Sequence, residues 1–174
     1  NDALHPAMGV EVFHNFTLLH DDIMDKAPLR RGNPTVHEKW NSNVAILSGD
    51  AMFVKSCQLM MMAPPSVIPA VMQLFLTTAL EVCEGQQMDM DFESLSRVSI
   101  EEYLEMIRLK TAVLVGGSLG IGALIAVLSS NHYFNTFQSG IRYRYNLCCV
   151  VLFVRYFWCC RIGFNINNII CFFR

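Results

Sequence analysis

The run Asp21-Asp22-Ile23-Met24-Asp25 places three carboxylates at helical spacing. Asp21 and Asp25 stand four residues apart, on one face of a helix. Asp22 sits about 100° round from Asp21 and still shares the cluster. The three follow apolar Leu18 and Leu19 rather than an evidently solvated face. Like charges so close repel, so the cluster is either an exposed acidic helix end or a site that a cation neutralises. Hard carboxylate oxygens suit Mg2+, which takes one or two carboxylates, several waters and substrate phosphates. Arg30 and Arg31 come five and six residues after Asp25, on a Gly/Pro loop. Alone they read as a solvated basic turn. Planar guanidinium forks also match phosphate oxygens. Carboxylates for a metal followed by two arginines describe a diphosphate site.

The elements that must position these residues are helical. Residues 7–25 carry apolar positions at three-to-four spacing and predict one helix. Pro28, Gly32 and Pro34 break the chain into a loop over 26–34. Thr35 with Glu38 three residues on predicts a capping box opening a short helix to Trp40. A turn at 41–43 precedes a long helix over 44–62, which Pro64 and Pro65 end. A third long helix is expected over 67–92. Ser99 with Glu102 predicts a capped fourth. No period-two strand pattern occurs before residue 130, so the fold class is all-α, a helical bundle.

Composition bounds the alternatives. The 174-residue chain is 53% hydrophobic and 16% charged, apolar for a soluble domain. All fifteen Asp and Glu lie in residues 1–105, and seven of thirteen Lys and Arg lie in 106–174, giving parts of about −9 and +7. The basic residues are scattered among Phe, Cys and Ile, so no nucleic-acid partner is expected. Residues 112–128 run seventeen positions without a charge, at the lower edge of a membrane span. A buried bundle helix is the favoured reading, with no transmembrane span. Cys57 and Cys83 read as buried thiols. Cys148, Cys149, Cys159, Cys160 and Cys171 lack zinc-site spacing. Nothing points to an oxidising compartment, so a cytoplasmic location, or a plastid-like stroma, is expected.

The stretch LLHDDIMDKAPLRRGNPTVH (residues 18–37) resembles the first aspartate-rich motif of polyprenyl synthetases, the trans-isoprenyl diphosphate synthases. Gly49-Asp50, Gly85-Gln86 with Asp89, and Lys110-Thr111 are similar to that family's later motifs in order and spacing. The resemblance covers residues 1–127 and implies a partial helical bundle of the isoprenoid synthase type. It implies Asp21, Asp22 and Asp25 as ligands of Mg2+ bridging an allylic diphosphate. Arg30 would contact that diphosphate, and Arg31 the diphosphate of isopentenyl diphosphate. Lys110 would offset charge on the leaving group, and Gln86 and Thr111 would line the pocket. The plainer readings are a surface amide for Gln86 and a helix-end charge for Lys110. Family members are commonly homodimers. Phe16, five residues before Asp21, implies a C15 to C20 product if it limits length, or is simply core.

The sequence also departs from the family. No carboxylate follows Glu105, so a second aspartate-rich motif is missing. Phe137-Gln138 echoes the residues that precede it, but Ser139-Gly140 follow. The family's Gly-Lys segment does not precede Asn1, and the chain does not open on Met, so a fragment is expected. Residues 1–128 are expected to be a partial synthase domain. Residues 129–174, with no Asp, Glu or Lys, form an atypical tail, expected to be out of frame or intron-derived. The chain alone is expected to be inactive. The alternatives are a non-catalytic partner subunit of a synthase, or a small membrane protein.

Overall fold

The computed structural model of the protein describes residues 2–128. Their order is α1 (Leu4–Met24), β1 (Leu29–Arg30), β2 (Asn33–Pro34), α2 (Val36–Lys39), α3 (Ser42–Met60), α4 (Ile68–Phe92), α5 (Ile100–Ile107), a π-helical turn (Arg108–Ala112) and α6 (Val113–Leu128). Among the described residues the fold is all-α, with one minimal hairpin. The expectations for the tail over 129–174, including Phe137-Gln138 and its five cysteines, lie outside the described residues. The described residues form two compact units, the first holding 2–77 and 120–128 and the second 78–119.

In the first unit, α1 begins at Leu4, before the expected Ala7. Pro6 sits in its first turn, where an N–H has no intrahelical partner to lose. The other end closes as a Schellman motif. Ala27 N–H donates to Asp22 O at 3.0 Å and Lys26 N–H to Ile23 O at 3.3 Å. Lys26 takes the left-handed position, with φ 50°, where glycine is usual. A side chain there costs about 1 kcal/mol. Lys26→Gly is therefore expected to stabilise the protein by about 0.5–1 kcal/mol, read as a higher urea midpoint.

The expected loop over 26–34 contains an antiparallel hairpin pairing Leu29 with Pro34 and Arg30 with Asn33. Its turn residues Arg31 (φ 55°) and Gly32 (φ 81°) both have positive φ, as a type I′ turn requires. Thr35 departs from its expected role. Its hydroxyl makes no cap to α2 and donates instead to Ala27 O at 2.7 Å. Thr35 N–H also donates to Pro28 O at 3.2 Å. The buried Thr35 thus ties the foot of the hairpin to the end of α1.

Asn41 caps α3 by accepting from Val44 N–H at 2.9 Å, so that helix starts two residues before expected. α1 and α3 run antiparallel. A Cβ on Gly9 would meet Met60 and Ser56 at 3.0 and 3.1 Å, and one on Gly49 would overlap the His20 ring. The core centres on Phe13, fully buried. Its ring lies 5.3 Å from Phe75, edge-on, 5.5 Å from Phe16 and 6.0 Å from Phe53. Val67, Val71 and Met60 complete it.

In the second unit, Ser99 and Glu102 form the expected capping box of α5. Arg108 holds the Glu105 carboxyl below its usual range through hydrogen bonds of 2.6 and 2.7 Å. Met106, Leu109, Ala112 and Val113 are buried, and Gly117 lies against Thr78. The helical run Ile100–Ala126, with a mean hydropathy of 1.7, is long and apolar enough by length and composition to cross a membrane.

Candidate functional site

The first unit brings the end of α1 and strand β1 together. Arg30 Nε donates to both oxygens of Asp22, at 2.7 and 2.8 Å, and its Nη2 donates to Asp21 at 3.1 Å. Asp22 is 6% exposed, so its charge needs this partner. The pair in turn raises the Arg30 pKa, chiefly through the hydrogen bond to Asp22. The hairpin explains why adjacent arginines differ. Arg30 lies in the strand and turns back on the helix, whereas Arg31 sits exposed at the positive-φ tip.

Asp25 is exposed at the cap of α1. Among the described residues no group of three or more His, Cys, Asp or Glu side chains is placed to hold a metal ion. The structure therefore gathers Asp21 and Asp22 around Arg30, not Asp21, Asp22 and Asp25 around a common point. Asp21 and Asp22 nonetheless fit a hard cation as donors. They are adjacent carboxylates, both reached by one guanidinium, and a divalent ion would supply the same compensating charge.

His20 was no sequence candidate. Its ring packs on Phe16 at 4.7 Å, and Nε2 lies 3.3 Å from Ile46 O. It fastens the residue before Asp21 to α3. The signal for it was Gly49, which leaves room for the ring.

The second unit holds Gln86, Asp89, Lys110 and Thr111. Gln86 Nε2 is buried, with no hydrogen-bond partner among the described residues. The surface-amide reading of Gln86 is thus replaced by a buried donor, a state that costs about 1–3 kcal/mol. Lys110 is no helix-end charge. It sits with Thr111 in the π-helical turn, a rare geometry frequent at functional sites. Lys110 Nζ donates to Asp89 Oδ2 at 2.6 Å. Gly85 admits this turn: a Cβ there would overlap Lys110 N and lie 2.6 Å from the Leu109 carbonyl carbon.

Comparison with known proteins assigns the family. The sequence model described as polyprenyl synthetase matches residues 1–143. A geranylgeranyl diphosphate synthase of Methanosarcina mazei is 45% identical over 125 residues, 71% of this chain and 39% of its own length. A geranylfarnesyl diphosphate synthase of Natronomonas pharaonis is 44% identical over 126 residues, covering 71% and 37%. The crystal structure of a geranylgeranyl pyrophosphate synthase superposes with a TM-score of 0.70 at 57% identity, covering 72% of this chain and 38% of that one. A geranylgeranyl pyrophosphate synthetase from Pyrococcus horikoshii gives a TM-score of 0.70 at 44% identity, over 71% and 38%. The chain thus spans about two fifths of the length of these relatives. On the match over 1–143 and these identities, the chain belongs to the polyprenyl synthetase family.

Proposed function

We propose that residues 1–128 form part of an isoprenyl diphosphate synthase domain, a prenyltransferase that joins isopentenyl diphosphate to an allylic diphosphate. The family membership supports the reaction class. The observation that carries the site is the Asp21–Asp22–Arg30 cluster at the junction of α1 and the hairpin.

In this reading Asp21 and Asp22 hold Mg2+, and Asp25 joins them as a ligand once the metal is bound. When bound, the metal offsets charge on the departing allylic diphosphate. Arg30 turns from the carboxylates to the allylic diphosphate, and exposed Arg31 takes that of isopentenyl diphosphate. Lys110 offsets charge on the leaving group. Gln86 and Thr111 line the pocket, with the buried Gln86 amide ready to donate. Phe16 packs on Phe13, Phe53 and His20, which supports a short tail cavity and a C15 to C20 product.

Exposed Val44, Leu47 and Val54 share one face of α3 and support a homodimer, in a cytoplasmic protein whose apolar α6 serves the bundle rather than a bilayer. This 174-residue polypeptide by itself turns over little, since no Asp or Glu follows Glu105. The same observations suit a non-catalytic subunit that retains the binding site.

Calorimetry with inorganic pyrophosphate and Mg2+ tests the site. Binding that requires Mg2+ and weakens about 10- to 100-fold in Asp21→Asn is expected. Binding indifferent to both chelator and the Asp21 substitution would sink the reading.

A further inference from the structure

Lys110 is held by two different constraints. Its backbone is fixed, because the π-helical turn packs against Gly85 with no space for even one added carbon. Its side chain, by contrast, is engaged by an ion pair with Asp89. The Lys110–Asp89 pair is short at 2.6 Å, yet both side chains keep solvent access, 27% and 37%. Such half-exposed pairs are weak, and the lysine stem is flexible. Asp89 follows Gln86 by three residues and shares its face of α4. That face therefore carries a carboxylate engaging the lysine and, one turn back, a buried amide donor with no partner among the described residues.

We propose that Asp89 is a positioning residue that holds Lys110 at rest and yields it to an incoming diphosphate, with Gln86 donating to the same anion. The inference rests on the proposed role of Lys110 and adds the exchange. A multiply charged diphosphate outcompetes one carboxylate for the ammonium group, and Asp89 is left to water. Asp89 thus lowers ground-state affinity while keeping the lysine side chain ordered in the absence of the diphosphate.

The test is a double-mutant cycle on the full chain, with Mg2+ and inorganic pyrophosphate as the probe and circular dichroism to verify helicity. Asp89→Asn keeps the side-chain volume and removes the charge. It is expected to tighten pyrophosphate binding about 2- to 5-fold, and to have no effect in a Lys110→Gln background. A purely structural Asp89 would act in both backgrounds. If Lys110→Gln weakens binding but Asp89→Asn does not tighten it, or tightens it equally without the lysine, the exchange is wrong and the Lys110 assignment stands. If Lys110→Gln leaves affinity unchanged, both fall.

Discussion

Phe13→Ala is expected to cost about 3–5 kcal/mol, a large share of the roughly 5–15 kcal/mol that holds a domain together. Phe13 is fully buried in the first unit. Three other rings lie within 6.0 Å of its centroid, so alanine removes a whole ring and the edge-to-face contact with Phe75. Such pairs add about 0.5–1.5 kcal/mol beyond burial. The surrounding rings come from α1, α3 and α4, and the cavity cannot close without moving a helix. Urea unfolding measures the loss. Phe16→Ala, at a half-buried position, is the comparison and should cost clearly less. Equal losses would show that the core does not centre on Phe13.

Gly85→Ala is expected to be about as damaging, costing about 3 kcal/mol or more. Overpacking is usually relieved by rotating a side chain. Here the added methyl meets backbone: it overlaps Lys110 N and lies 2.6 and 2.7 Å from Leu109 C and Lys110 Cα. Relief must come from separating α4 from the π-helical turn or from rewinding the turn. Either moves Lys110. The control is Gly116→Ala in α6, where nothing lies within 4 Å of the added carbon. That change should instead stabilise by about 0.5–1 kcal/mol. The difference in urea midpoints between the two variants is the measurement, and near-equal midpoints would refute the packing described for Gly85.

The helices were legible because apolar spacing and punctuation agreed. Ser99 and Glu102 announced α5 correctly, since both groups of that capping box found their partners. Thr35 and Glu38 offered the same pattern and failed, because a buried hydroxyl beside Ala27 O had a tertiary partner that sequence spacing does not show. The hairpin was missed because two-residue strands have no readable period, and Arg31 is not the usual residue at a positive-φ position. The Schellman end of α1 was hidden for the same reason by Lys26. At the site, residue types pointed to an anion and a cation, but not to how they are shared at rest. That Arg30 would settle on Asp22, and Lys110 on Asp89, depends on a turn and on a close helix approach.

If the acidic helix end takes a metal as proposed, the resting Arg30 pair shapes how it does so. Asp22 and Arg30 are only eight residues apart, so the guanidinium is a tethered competitor with a high effective concentration at the carboxylates. Any free cation must win against it. The apparent affinity of the proposed metal site would then be an exchange constant, set as much by the stiffness of the intervening hairpin as by the aspartates. A hairpin that opens readily would lend the proposed site sensitivity to dilute metal, and a rigid one would make it respond only above a threshold.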